Sequence, residues 1–181
     1  MSSIVNPNYS ILRVLVLCGL ILSGSGCDNQ AAQEDFIDEA SALPEGITKI
    51  LDADFVNADD GICSEDPDDW RVSPVYAGVV FVDRPAFPNP ATGASQGTIV
   101  IRVLQPNRVQ GGFILTAFGN GSVPIELARI PDASLDNFYD IRFSPSLLSI
   151  NGLHRLFLFD SLGELITYGD LELTSALPTS C

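Results

Sequence analysis

Phe138-Tyr139-Asp140-Ile141-Arg142-Phe143 is the stretch that decides the fold, because apolar and charged side chains alternate in it without a break. Successive side chains of a β-strand point to opposite faces, so this period of two predicts a strand with one face in the core. Tyr139, Ile141 and Phe143 are expected to point inward, and the two charged residues are expected to face solvent.

Runs of the same kind lie on both sides of this stretch, and turn residues separate them at fairly regular intervals. Together with 138–143, the predicted strands are 75–82, 98–104, 112–118, 123–129, 153–159 and 164–173. Pro85 is expected to end the first strand, and the continuous apolar run 153–159 to be a central strand. Seven strands with little room for helices predict an all-β domain, an immunoglobulin-like β-sandwich, over residues 70–181. The alternative fold is a small closed barrel.

Three short motifs in this domain resemble those of a known family. Phe87-Pro88-Asn89-Pro90-Ala91-Thr92 is similar to the Pro-Asn-Pro opening of the sandwich domains in flagellar hook-cap scaffolds and type IX secretion sorting modules. Residues 151–158 resemble their Gly-(Val/Leu)-Tyr strand, with His154 at the Tyr position, and residues 159–163 resemble their Asp-x-x-Gly hairpin. The resemblance implies a non-catalytic domain that packs or docks. We do not carry over the sorting role, because a sorting module is an appendage of a larger cargo.

The first 26 residues have the pattern of a secretory signal. They contain no Asp or Glu, Arg13 supplies positive charge, and the apolar run 14–22 is followed by small residues. That run holds nine residues, whereas a transmembrane helix needs about 20, so a permanent membrane span is not expected.

The end of this segment, Leu20-Ile21-Leu22-Ser23-Gly24-Ser25-Gly26-Cys27, resembles a lipobox, the processing signal of bacterial lipoproteins. The resemblance implies cleavage between Gly26 and Cys27, with a diacylglycerol and a further acyl chain such as palmitate on Cys27. Two or three chains would give stable anchoring at the periplasmic or surface face of a bacterial membrane, inner or outer. The alternative is an ordinary signal peptide with Cys27 free or in a disulfide.

Charge divides the mature chain into an acidic leader and a nearly neutral domain. Residues 28–69 hold 14 acids and one Lys, whereas residues 70–181 hold nine acids and seven Arg. Nucleic-acid binding and electrostatic attachment to anionic lipid both need clustered Lys and Arg, so both are disfavoured. We therefore predict a signal peptide over 1–26, an acidic tether over 27–69 and the sandwich domain over 70–181.

The leader has few apolar positions, so residues 31–42 are expected to form a tether or a short helix that ends by Pro44. The apolar residues between 47 and 56 predict a segment that docks on the domain or forms an edge strand. Carboxylates, the ligands that calcium prefers, are dense between Asp52 and Asp69. No EF-hand spacing fits them, so a solvated loop and a calcium site both stay open, and no metal ligand is assigned.

Two cysteines, Cys63 and Cys181, are left once Cys18 leaves with the signal and Cys27 is lipidated. An even pair in an oxidising compartment favours a disulfide, which would close nearly the whole domain into one loop. On the chain-entropy model a loop of that length contributes about 4–5 kcal/mol. Two free thiols and intermolecular pairing are the alternatives.

No group of residues predicts catalysis, so no catalytic residue and no cofactor is assigned. His154 is the only histidine, and it lies in an apolar run. Ser146 and Ser149 lack the Gly-x-Ser-x-Gly context of an activated nucleophile. Metal catalysis would need more His or Cys than the chain contains.

These patterns favour a membrane-anchored, non-enzymatic envelope lipoprotein with no small-molecule substrate. We expect a binding or assembly module for a neighbouring envelope protein, engaged through a sheet edge or through an exposed loop at residues 86–96. The alternatives are a carbohydrate-binding or hydrolytic domain that uses loop carboxylates, and a calcium-stiffened spacer. A concave pocket lined by acids and aromatics would favour the carbohydrate alternative.

Overall fold

The computed structural model describes residues 24–51, 62–118, 123–134, 137–148 and 150–177. These residues form an α-helix, α1 (Gly24–Ser41), and three 3-10 turns at Pro74–Tyr76, Pro106–Arg108 and Pro145–Leu148. The strands are β1 (Lys49–Ile50), β2 (Ile62–Ser64), β3 (Val80–Phe87), β4 (Ala91–Thr92), β5 (Gly97–Val103), β6 (Phe113–Phe118), β7 (Pro124–Ile130), β8 (Phe138–Phe143), β9 (Gly152–Asp160) and β10 (Leu165–Thr174). The prediction of an all-β domain is confirmed.

The strands form three sheets. A five-stranded sheet has the order β4-β10-β9-β6-β7, a three-stranded sheet has the order β3-β5-β8, and β1 pairs with β2. Neighbouring strands are antiparallel, except that β4 runs parallel to β10. β9 is the central strand of its sheet, as its continuous apolar run predicted.

One hydrophobic core is shared by the five-stranded and the three-stranded sheets. Tyr139, Ile141 and Phe143 of β8 are buried in it, which confirms the inward face predicted from their alternation. Leu156 and Leu158 of β9, both fully buried, belong to the same core. Burial of one such side chain contributes about 1.5–3 kcal/mol, so the period of two fixes which face of each strand turns inward.

The boundaries predicted for the first strand, 75–82, are wrong at both ends. Its start is the 3-10 turn Pro74–Tyr76, where the hydroxyl of Ser73 accepts a hydrogen bond from the Val75 N–H. The strand proper, β3, begins at Val80 and continues through Pro85, which was expected to stop it. Because β3 is an edge strand with register shifts around Arg84, the missing N–H of a proline breaks no regular ladder there.

The outer edge of β10 is closed partly by main chain that precedes the first long strand. The Trp70 N–H donates to the Tyr168 carbonyl at 2.9 Å, and the Ser73 N–H donates to the Ile166 carbonyl at 2.8 Å. The buried indole of Trp70 packs on Gly169 of β10. A Cβ on Gly169 would lie 2.1 Å from the indole, so glycine is required at this position.

Two side chains close the next part of the same edge. The Asn89 amide donates to the Asp170 carbonyl at 2.8 Å, and its oxygen accepts the Glu172 N–H at 3.0 Å. The Asp69 carboxylate accepts the Asp170 N–H at 2.6 Å. Asn89 also exchanges two main-chain hydrogen bonds with Ile50 of β1. The apolar segment between residues 47 and 56, which was expected to dock on the domain or form an edge strand, therefore docks at Ile50. These bonds replace the ladder that a long neighbouring strand would provide.

The loop at residues 86–96 was expected to be exposed, and its first half is not. Ala86, Asn89 and Ala91 are fully buried. The expectation was wrong because the Asn89 side chain and β4 together occupy the edge of β10, which draws this segment into the interior.

The hairpin between β9 and β10 is built around a buried aspartate. One oxygen of Asp160 accepts the N–H groups of Leu162 and Glu164, at 2.9 and 3.0 Å, and the other accepts the Tyr76 hydroxyl at 2.8 Å. Gly163 has a φ of 91°, the left-handed conformation that glycine adopts without strain. The turn predicted from this stretch is present.

Helix α1 packs on the outer face of the five-stranded sheet. Phe36 and Ala40 are one turn apart, and each is 2% exposed. Both pack on Tyr168 of β10, whose ring centroid lies 5.2 Å from that of Phe36. Among the described residues, no helix has the length and apolar character needed to cross a membrane.

Candidate functional site

An apolar groove lies between α1, the segment that follows it and the outer face of the five-stranded sheet. Its volume is about 760 Å³, within the range of roughly 300–1,000 Å³ that ligand sites occupy. The side chains lining it are mainly apolar, and they come from α1 and its continuation (Ile37, Ala40, Leu43, Pro44), from β6 (Phe118) and from β9 and β10 (Leu153, Phe157, Phe159, Leu165).

The floor of the groove is a row of phenylalanine rings. Phe118 of β6 meets Phe157 of β9 edge to face at 5.2 Å, and Phe157 stacks on Phe159 at 6.2 Å. Phe157 and Phe159 alternate with core residues along β9, so the strand buries one apolar face and presents another to the groove.

Large apolar side chains of the groove face solvent. Leu43 is 84% exposed, and Phe118, Ile37 and Leu153 are each between 42% and 47% exposed. Single exposed hydrophobic residues are ordinary, but a contiguous group around a concave surface is typical of an interaction site.

A smaller cavity of about 290 Å³ adjoins the groove, and the two share Ala42, Leu43 and Arg155 in their walls. Its other lining residues are mostly acidic: Glu39, Glu45, Asp66, Asp68, Asp69 and Asp170, with Gly46 and Tyr168. We call this cavity the acidic pocket. Burial, together with the nearby Glu39 carboxylate, raises the pKa of Tyr168 to about 12, so its hydroxyl stays neutral.

Arg155 of β9 forms the wall between the two cavities. It makes two hydrogen bonds of 2.8 Å to the carboxylate of Asp170, and the hydrogen bonds to this carboxylate hold the pKa of Arg155 above its ordinary value. The same guanidinium donates to the carbonyls of Glu39 and Ala42 at 2.8 Å and of Ala40 at 3.3 Å. The last carbonyls of a helix lack partners within it, and a cation is favourable at that end. Arg155 therefore fixes the C-terminus of α1 to the sheet.

Asp69 lies in the wall of the acidic pocket. Besides the Asp170 N–H, its carboxylate accepts the Thr48 N–H at 2.8 Å. Burial raises the pKa of Asp69 from 3.8 to about 6, although both hydrogen bonds act in the opposite direction. The nearby Asp170 carboxylate raises it further.

The structure disperses the residues that sequence analysis singled out. Gly26 and Cys27 lie in the first turn of α1, and Cys63 lies in β2. Cys181 lies outside the described residues. Cleavage, lipidation and the Cys63–Cys181 bridge therefore stay predictions.

The residues considered for catalysis are not brought together. His154 lies at the groove, and its Nε2 is 2.6 Å from the Ile150 carbonyl oxygen. The Ser146 hydroxyl is 2.8 Å from that of Ser144, and Ser149 lies outside the described residues. Within the described ranges, no group of three or more His, Cys, Asp or Glu residues could hold a metal ion. The acidic stretch 52–61 considered for calcium lies outside them.

Arg155, Asp170 and the groove were not predicted from the sequence. The available signal was an arginine inside the apolar run 153–159, because a buried guanidinium needs a carboxylate partner. The outward phenylalanines of β9 were a second signal, since a central strand with two apolar faces requires something to cover each of them.

Comparison with known proteins provides no relative: no family model, curated protein or solved structure matches this chain.

Proposed function

We propose that this chain is a membrane-anchored, non-enzymatic envelope lipoprotein whose domain is an immunoglobulin-like β-sandwich that binds a neighbouring envelope protein. The observation that carries the proposal is the apolar groove beside α1, with its exposed Phe118 and Leu43. Exposed aromatic and aliphatic side chains around a concavity are what protein partners cover.

The position of α1 supports a link between anchoring and binding. The helix contains Cys27, the proposed lipidated residue, and six residues later Gln33 lines the groove. At a rise of about 1.5 Å per residue, these two positions are roughly 9 Å apart along the helix axis. A lipid on Cys27 would therefore hold the groove close to the bilayer surface, where envelope proteins are encountered.

The arrangement of the two larger sheets supports the proposal of an immunoglobulin-like β-sandwich. The inner faces of the five-stranded and three-stranded sheets share one core, as in a sandwich. A solution or crystal structure with a closed hydrogen-bonded barrel instead of two sheets would contradict the immunoglobulin-like arrangement.

The lipoprotein part is tested by expressing the full chain in a bacterium that processes lipoproteins, with a clickable palmitate analogue in the medium. We expect the wild-type protein to carry the label, to begin at Cys27 and to sediment with membranes. Cys27→Ser should neither carry the label nor sediment with membranes. Cys63→Ser is the matched control and should keep the label. An unlabelled wild-type protein in the aqueous fraction would contradict the proposal.

The binding part is tested with a photo-crosslinking amino acid at position 118 in living cells. We expect one envelope protein to be captured from position 118. Position 104, where an exposed leucine lies outside the groove, is the control and should capture none. Equal capture at both positions, or no capture at either, would contradict binding through the groove.

A carbohydrate-binding domain is the second candidate, because carboxylates and aromatic rings line adjoining cavities, as that alternative required. Calorimetric titration of the protein with oligosaccharides from envelope digests tests it. Saturable heat that is lost in Phe118→Ser would favour this candidate over a protein partner.

A further inference from the structure

The groove and the acidic pocket form one continuous surface, which is apolar in the groove and acidic in the pocket. Both cavities are walled by Ala42, Leu43 and Arg155, so a single ligand can lie across them. On one side Phe118 and Leu43 are available to bury apolar side chains. On the other side six carboxylates surround a volume large enough for the head of a cationic side chain.

The negative charge of the pocket is not neutralised from within. Among the described residues that line it, Arg155 is the only basic one, and its guanidinium already bonds Asp170 and the last carbonyls of α1. Arg71 pairs with Glu39 at 3.1 Å and with Asp68 at 3.4 Å, but both partners keep 40% or more of their side chains exposed. Two arginines against six carboxylates leave an excess of acids.

We infer that the groove and the acidic pocket together bind one amphipathic, basic segment of the partner protein, with apolar side chains in the groove and a Lys or Arg in the pocket. This inference rests on the proposed function, since it takes the partner to be a protein. Apolar anchors at helical spacing suit a groove, and opposite charge at its end sets the direction of the bound segment.

The charge of the pocket argues against other occupants. A fatty acid, an acidic peptide or a nucleic-acid phosphate would bring like charge to the six carboxylates and is repelled. A neutral apolar segment would fill the groove and leave the pocket unused, so it would bind more weakly than a basic one.

The test uses the full processed lipoprotein in nanodiscs of zwitterionic lipid and three synthetic 18-residue peptides, with empty nanodiscs as the reference. One peptide has Leu at positions i, i+3, i+4 and i+7 of the helical repeat and Lys elsewhere, so that it forms an amphipathic helix. The second has Glu in place of Lys, and the third has Ser in place of Leu. We expect the Leu/Lys peptide to bind at least about tenfold more tightly than either of the others. Its affinity should fall as salt is raised, because salt screens charge pairs.

Variants locate the binding. Phe118→Ser in the groove and Glu45→Gln in the pocket should each weaken the Leu/Lys peptide by about fivefold or more. Leu104→Ser and Asp140→Asn are exposed controls outside both cavities and should leave its affinity unchanged. Circular dichroism and thermal melting confirm that each variant folds.

Equal affinity for the Leu/Lys and Leu/Glu peptides, or no effect of Phe118→Ser, would overturn the inference. If that result is found while position 118 still crosslinks a single envelope protein in cells, the proposed function stands and only the nature of the bound segment is wrong. If both experiments fail, the groove is not the binding surface at all.

Discussion

Arg155 and Asp170 form a two-bonded ion pair on the outer face of the five-stranded sheet, and the same guanidinium holds the C-terminus of α1. The side chains are 12% and 6% exposed, so the pair is largely out of water. The Arg155 guanidinium also lies 5.0 Å from the ring centroid of Tyr168, on which Phe36 packs. The position of the helix, and with it one wall of the groove, therefore depends on this arginine.

We expect Arg155→Met to lower the free energy of unfolding by about 3–5 kcal/mol, because it leaves the Asp170 carboxylate buried without a partner. The amides of the last turn of α1 should exchange with deuterium faster than in the wild type. Urea unfolding and hydrogen exchange measure the two effects. Arg129→Met, in an exposed pair with Glu126, is the matched control and should leave the Tm unchanged. Equal losses in both variants would contradict a special role for Arg155.

Asp69 should make the protein more stable as the pH falls from 7 toward 4. Its pKa is about 6 in the folded protein and 3.8 ordinarily, so between these values the folded state holds a proton that the unfolded chain has released. This contribution is fully present below pH 3.8 and is lost as the pH rises through 6. Asp69→Asn removes it, so the stability difference between wild type and variant should change with pH over this window. A difference that is constant from pH 4 to 7 would contradict the raised pKa.

Asn89→Ala should destabilise the fold more than an ordinary polar truncation. It removes hydrogen bonds to the Asp170 carbonyl, the Thr48 carbonyl and the Glu172 N–H, and each buried group left unpaired costs about 1–3 kcal/mol. Gln105→Ala is the control, because the hydrogen bond from the Gln105 side chain to the Gly78 carbonyl is exposed and 3.5 Å long. Urea unfolding compares the two variants, and a similar midpoint for both would contradict the role of Asn89 at the edge of β10.

Gly169→Ala should cost about 1–3 kcal/mol, because the added methyl group overlaps the Trp70 indole and the core is already filled. Trp70→Phe in the same background should recover part of the loss, since the smaller ring leaves room for the methyl group. Thermal melting of the two single variants and the double variant measures the coupling. Additive losses would show that the indole and Gly169 are not in contact.

Strand positions in the domain were predictable because burial imposes a period of two on the sequence. Ile99, Ile101 and Val103 of β5 show this, and all three are fully buried. The prediction was wrong at Pro85, because whether a proline is tolerated depends on whether its strand lies at the edge of a sheet. The order of strands, which decides this, has no local signal.

The groove was not predictable from the leader, which has few apolar residues. In the sequence, Phe36 and Ala40 are isolated apolar positions in an acidic helix. They are buried only because Tyr168, on the outer face of β10, packs against them. Arg155 and the carbonyls it holds are separated by more than a hundred residues of chain. Pairings at that separation follow from the assembled sheet and leave no periodic pattern in the sequence.

The edge of β10 is closed to strand addition by a second copy of this protein. Main chain at Trp70 and Ser73, the Asp69 and Asn89 side chains, and β4 fill the donors and acceptors to which a foreign strand would add. Unfilled strand edges are templates for self-association. Edge-to-edge polymerisation through β10 is therefore blocked, and the side-chain amide of Asn89 is one of the groups that keep a second copy from adding there.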